Sequence, residues 1–395
     1  MQVENEEKNF FRDEETRRLR VERRNRSLIR MAIILVGLVF ASVFLNISLR
    51  LGDVSFAAYI ESVIYRLQGF YNILSGNSSA DTAGVQFVFF RALVAILVGA
   101  TLSSCGAIFQ GSFRNALASP TTLGLEAGGM AAGLFFLLVF LHPDSFSVTS
   151  SYEQISLTYQ GMSFWQKNLQ SIFIAGGCLV TIALVVGIAT AAGRGKLSSL
   201  TLILSGFIFT SLIASGTGLV QYYMITYYPS DPRIDSMRTL MMGTMNRITN
   251  FDQVLLIGIP VLVCLAIIFF MRSRFNILVF GEEEAKAMGM RVGLFRNFML
   301  IICTVMTAVT ISFCGQVAFV GLIVPHLARM IVGPDFRALI PASMLMGGIV
   351  MVAAHIVAVA IGYDVNLSVV TGAMGGLFFL VFLIVFRRKR HADWA

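Results

Sequence analysis

The chain has 395 residues, 56% of them hydrophobic and only 13% charged, and carries a formal charge of +8. A soluble domain averages about 25% charged residues, so this composition argues against a water-soluble enzyme and for a polytopic membrane protein with little chain left for a soluble domain. The basic excess is not read as a nucleic-acid footprint, because the Lys and Arg residues fall where membrane topology would place them.

Residues 1–27 interleave acids and bases (NEEKNFFRDEETRRLRVERRNR). The stretch is too long and too acidic for the n-region of a signal peptide, and no small-residue cleavage site follows the first apolar run. It therefore reads as a charged cytoplasmic tail. Apolar runs then recur near 28–49, 86–110, 122–141, 169–192, 198–222, 252–272, 297–315, 316–332, 338–361 and 367–386. A helix needs about 20 such residues to cross the hydrocarbon core. The expectation is an all-α polytopic membrane protein with about ten transmembrane helices, its permeation domain occupying 28–386 and a basic cytoplasmic tail following at 387–395. The seventh and eighth runs are separated only at Cys314–Gln316, and the eighth is short and carries Pro325. With the N-terminus inside, 22 of the 30 Lys and Arg lie on inner segments: the tail, 111–121, 193–197, 272–296, 329–337 and 387–395. That bias places both termini in the cytoplasm. Three outer segments are long, 50–85, 142–168 and 223–251. The first holds the amphipathic stretch VSFAAYIESVIYRL; the third holds PSDP followed by MRTLMMGTM, which suits a short helix at the outer surface.

Little in the sequence points to covalent chemistry. The five cysteines (Cys105, Cys178, Cys264, Cys303, Cys314) lie in apolar runs without a CxxC pair and read as small hydrophobes. The four histidines (His142, His326, His355, His391) are scattered, and no metal site is expected. GRGKLS at 193–198 is no phosphate loop: Thr190 stands where its first glycine should, and Leu197 where a magnesium-binding Ser or Thr should. Gly124/Gly128 and Gly129/Gly133 are spaced for close helix packing, more simply within the chain than between two copies.

The inner loop 273–296 is the longest internal one. In it Gly281 can cap a short helix, Glu282, Glu283 and Glu284 suit the first turn of that helix, and Gly289 can stop it. A second short element, MRVGLFR, follows. Rigid helices of this kind at the cytoplasmic face suit the transmission of a push from a soluble partner. Glu126 and His355 are ionisable groups inside apolar runs. A charge at mid-membrane costs roughly 2.5–3.5 kcal/mol on insertion scales, so each is expected to face the bundle or a cavity.

Four stretches, in order, resemble the FecCD family of ABC-importer permeases for iron–siderophore complexes, haem and vitamin B12. GQVAFVGLIVPHLARMIVG followed by RALIPAS is similar to the family's G-x-x-x-F-x-G-L-x-x-P-H-x-x-R signature. GAIFQGSFRNALASPTTLGLEAG resembles its Q-x-x-x-x-N-x-L-A-x-P-x-x-L-G-x-x-x-G segment, FGEEEAKAMGM its coupling loop, and LSVVTGAMGGLFFLVFL its last helix. The resemblance covers roughly residues 86 to 386.

The resemblance implies a permease that works as a pair, with a second copy or a homologous chain, on two copies of an ABC ATPase that bind ATP and magnesium. This chain would bind no cofactor itself. An extracytoplasmic binding protein would deliver the cargo, and the fifth and tenth helices would line the pathway in the bacterial cytoplasmic membrane. By resemblance, Gly281, Glu282, Glu283, Ala285 and Gly289 dock into the ATPase. Asn115 and Leu117 narrow the cytoplasmic mouth. Gly321, Pro325, His326 and Arg329 form the signature helix, whose proline neighbouring helices protect. Met241, Met242 and Gly243 belong to the short outer helix near the pathway.

The sequence also departs from the family pattern. Of the R-x-P-R that often opens the second helix, VFFR keeps only Arg91 as a docking residue for the binding protein. Val359 falls where a later arginine is frequent, leaving Arg233, Arg238 or Arg247 as substitutes, and Glu126 replaces a residue that is usually Ser. The implied cargo is a ferric siderophore. The alternatives are haem or cobalamin, with Tyr222, Tyr223, Tyr227 and Tyr228 as an outer aromatic cluster, or an ion-coupled carrier using Glu126 and His355 as a proton relay.

Overall fold

A computed structural model describes residues 21–22, 24–39, 83–140, 164–193, 199–231, 233–245, 248, 251–361 and 365–388. Described in chain order are α1 (24–39), α2 (Ala83–Phe113), α3 (Leu125–Phe140), α4 (Phe164–Ala192), α5 (Ser199–Tyr227) and α6 (Arg233–Met242). Then come α7 (Phe251–Phe280), α8 (Glu282–Ala287), α9 (Val292–Cys314), α10 (Val320–Val332), α11 (Phe336–Ile361) and α12 (Leu367–Arg388). No strand occurs among the described residues. Among the described residues, six helices are long and apolar enough to cross a membrane, and α3, α10 and the apolar part of α12 are shorter. Each of the ten apolar runs holds a helix. The amphipathic stretch at 54–67, the segment 141–163, the tail 1–20 and the last residues 389–395 lie outside the described residues.

α2 is the central post, enclosed by α7, α9, α10 and α11. Small residues allow this. A Cβ on Gly99 would lie 2.1 Å from the Gly347 carbonyl oxygen, and one on Gly106 would lie 1.7 Å from that of Gly321. With no side chain between them the backbones touch, which is how helices gain contact in lipid, where apolar burial provides no drive. Ser103 on α2 adds a hydrogen bond across the first crossing, its hydroxyl 2.7 Å from the Ser343 carbonyl oxygen. The glycines of the GLEAGGMAAG run also pack within the chain: Gly128 faces Thr181 and Gly177 of α4, and Gly129 faces Cys178. A second apolar cluster forms there from α3, α4, α5, α6 and α9.

Three boundaries differ from the sequence reading. The loop expected at 273–296 is shorter, because α7 continues to Phe280. Arg272 does not end the helix: its guanidinium stacks over Phe269 at 3.5 Å and donates to the Arg337 carbonyl. MRVGLFR is no separate element either, since α9 begins at Val292 within it. The run at 122–141 becomes helical only at Leu125, because Ser119 and Thr122 bond each other and hold 119–124 in turns.

Candidate functional site

The loops at 281–291 and 333–335 lie at one end of the bundle, called the basic end here; α6 and the 243–245 segment lie towards the other. At the basic end α8 is fixed at both termini. Gly281 has φ 146° and ψ 161°, a conformation open to glycine alone. At the far end, Gly289 (φ 82°) donates to the Lys286 carbonyl and Met290 to the Ala285 carbonyl. These paired bonds form a Schellman stop, as the sequence position of Gly289 predicts. Ala285 is fully buried and anchors the helix, while Glu282, Glu283 and Glu284 are exposed. Glu282 pairs with Arg296 of α9. Glu283 pairs with Lys286 at 2.8 Å; that hydrogen bond holds the carboxyl below its ordinary pKa and raises the ammonium. Together with Ser112, Phe113 and Arg114, the start of α8 borders a groove of about 710 Å³.

A second cluster ties the basic end together. Asp335 caps α11, its Oδ1 accepting the Arg337 N–H at 2.9 Å and the Asn276 amide at 2.8 Å, while its Oδ2 accepts Arg24 of α1 at 3.0 Å. Partial burial pushes this carboxyl's pKa up, but those donors outweigh it and hold the pKa below the usual value.

Asn115 and Leu117 sit in the turn after α2. The Asn115 side-chain oxygen accepts the Leu117 N–H at 2.8 Å, a local turn that leaves Leu117 exposed. In the signature helix α10, Pro325 removes the donor that Gly321's carbonyl would use. α2 presses against that carbonyl at Gly106, and Gln110 donates to the neighbouring Leu322 carbonyl at 3.0 Å. Arg329, in the last turn, reaches back to Gln110 at 3.4 Å, and His326 is half-buried beside it. Gln110 was not singled out from the sequence, although a glutamine inside an apolar run is itself a signal.

Towards the opposite end the backbone is interrupted between α6 and α7 and between α9 and α10, and the two breaks meet. Gly243 (φ 69°) lies against the Gln316 carbonyl, Thr244 donates to Cys314 at 2.8 Å, and Leu367 at the start of α12 donates to Gly243 at 3.0 Å. Met242 is exposed and contacts Asn366, whereas Met241 is half-buried. Arg233 is tied to Asp231 at 2.6 Å, a contact that holds the Asp231 pKa down, while Arg238 is exposed. Arg247 lies outside the described residues.

One expectation needs correction. Arg91 does not present its guanidinium for docking. It is 9% exposed, and its Nε donates to the Ile248 carbonyl at 3.3 Å, bracing Ile248 against α2. Arg91→Glu is therefore expected to lower thermal stability by roughly 3–5 kcal/mol and to weaken assembly with every partner alike. Selective loss of binding-protein capture at an unchanged melting temperature would restore the docking role. The structure gives Glu126 and His355 different neighbours. His355 borders a small cavity of about 10 Å³ with Thr244, Met245 and Val359; Glu126 is buried at the base of α3 near Thr121 and Gln316.

With this geometry in hand, comparison with known proteins is informative. The model of the FecCD transport family matches residues 34–385. The chain is 30% identical over 305 residues to the cobalamin import system permease protein BtuC of Halobacterium salinarum, covering 74% of this chain and 71% of that one. It is 30% identical to the "Probable siderophore transport system permease protein YfiZ" of Bacillus subtilis (75% and 80% covered) and 29% identical to the molybdate import system permease protein MolB of Haemophilus influenzae (76% and 80%). A solved structure described as a metal-chelate type ABC transporter in an inward-facing conformation shares the fold, with a TM-score of 0.66 at 24% identity over 91% of this chain and 99% of that one.

Proposed function

The chain belongs to the FecCD transport family, and from that membership we propose that it is the subunit through which an ATP-driven importer passes a ferric siderophore across the bacterial cytoplasmic membrane. At the coarser level it is a multi-span permease of an ABC importer, a transport subunit rather than an enzyme. In this reading a second permease, the same chain or a homologue, completes the passage. Two copies of a separate ATPase bind ATP and magnesium, and an extracytoplasmic protein delivers the cargo. The basic end faces the cytoplasm, and both termini with it.

The observation that carries the reading is α8. A helix of six residues, fixed by Gly281 before it and Gly289 after it, holds three exposed carboxylates on a buried alanine anchor. Such a rigid knob converts the closing and parting of two ATPases into movement of α7 and α9, to which it is bound. Asn115 and Leu117 then border the inner mouth of the passage, and Met241, Met242 and Gly243 its outer part. Transport proceeds between two discrete packings, each binding the cargo from one side.

The first test is recovery of the tagged chain from gently solubilised membranes, with partners identified by mass spectrometry. A co-purifying ATPase is expected; recovery of the chain alone, even after crosslinking, would overturn the importer assembly. The cargo is tested separately, by competing radiolabelled ferric chelate uptake with haem, cobalamin and molybdate. Uptake of one of these in place of the ferric chelate would reassign the cargo and leave the mechanism standing.

A further inference from the structure

Two interruptions of regular helix meet inside the bundle. One is the 114–124 turn, from which α3 starts at Leu125; the other is the 315–319 link between α9 and α10. Irregular backbone at membrane depth persists only where it is enclosed by protein or lines a site, and broken helices commonly mark ion sites. Glu126 stands where these two meet. It is 2% exposed. Its Oε1 accepts the Thr121 hydroxyl of the first interruption at 2.8 Å, and Gln316 of the second approaches the carboxyl. Its Oε2 is buried without a hydrogen-bond partner.

α3 packs on α4, α5, α6 and α9. Among the described residues no Lys, Arg or His of these helices acts on the carboxyl; the titratable group that faces it is the Cys178 thiol of α4. An ionised Glu126 would thus be a solitary buried charge with one bare oxygen, a state that proteins avoid by neutralising the group. The neutralising species has to come from solution.

We propose that Glu126, Thr121 and Gln316 form a site for a monovalent cation, H⁺ or Na⁺. A proton adds to the carboxylate to give a neutral acid. A sodium ion instead takes the carboxylate, hydroxyl and amide oxygens as ligands. Either cancels the charge and links the 114–124 turn to the 315–319 link, so that occupancy biases the packing of the inner mouth against α10. The site itself stands on these contacts alone; its effect on the inner mouth rests on the proposed transport role.

The test uses the full-length chain in lipid nanodiscs, as wild type and as Glu126→Gln, which keeps the shape and the Thr121 contact. Infrared difference spectra at neutral pH read the protonation state, and melting in sodium against potassium buffer reads ion binding. A protonated carboxyl band lost in Glu126→Gln identifies the proton. An ionised carboxylate with a sodium-dependent rise in melting temperature of several degrees, absent from Glu126→Gln, identifies sodium. An ionised carboxylate with equal melting in both salts overturns the site. Thr121→Val serves if Glu126→Gln does not fold: it is expected to shift the carboxyl band or weaken the sodium effect, and no change in either also overturns the proposal.

Discussion

Gly281→Pro is expected to abolish uptake, to below about one hundredth of wild type, while leaving the chain inserted and folded. Proline fixes φ near −65°, whereas Gly281 sits at φ 146°. The backbone between Phe280 and Glu282 must therefore turn by a wide angle, and α8 leaves its bed. Ala285 then loses its buried anchor, and Glu282 loses Arg296. Strain at a single such residue amounts to about 1–3 kcal/mol, too little to unfold a bundle whose helices meet elsewhere. Docking fails all the same, because a misplacement of even about 1 Å at a precise contact can cost about a hundredfold in rate. Uptake assayed beside membrane abundance and gel-filtration profile checks this, and normal uptake would remove the coupling role of the segment. Glu283→Arg should reproduce the loss by charge alone. The Glu283–Lys286 pair is exposed and contributes little to stability, so melting should stay unchanged.

Much of this architecture was legible in the sequence, because each span writes itself as an apolar run and every run holds a helix. The Gly289 stop and the break at Cys314–Gln316 were legible for a similar reason: both are local, set by residues within one turn. Errors arose where a charge was taken as a boundary. Arg272 and Arg274 suggested that α7 had ended, but a long side chain can lie along an apolar surface and place its charge at the edge, as Arg272 does over Phe269. Arg91 was misread for another reason. Whether its head is free depends on Ile248, distant in sequence, whose carbonyl accepts its Nε–H. Glu282 with Arg296, Gln110 with Leu322 and Glu126 with Gln316 are likewise tertiary pairings that no local spacing announces.

Gly106→Val is expected to be the most damaging single substitution in the core. The nearest neighbours of a Cβ at this position are the Gly321 carbonyl oxygen at 1.7 Å and carbonyl carbon at 2.6 Å, all backbone, so no rotamer change can relieve the clash. α10 would have to move away from α2. The contacts at the same crossing would open with it: Gln110 on the Leu322 carbonyl, and Arg329 on Gln110. The carbonyl that Pro325 leaves without a donor would also lose the helix packed against it. Overpacking where side chains can adjust typically costs about 1–3 kcal/mol; against rigid backbone the loss should exceed that range, a large part of the roughly 5–15 kcal/mol that holds a domain folded. Gly106→Val is therefore expected to yield no monodisperse protein on fluorescence-detected gel filtration, and Gly106→Ala a reduced yield with a lower melting temperature. Gly187→Val on α4, where a Cβ meets nothing within 4 Å, should behave as wild type in the same assay. A Gly106→Val chain that melts with the wild type would mean that α2 and α10 are not in backbone contact in the membrane, and that the proline of the signature helix is protected in some other way.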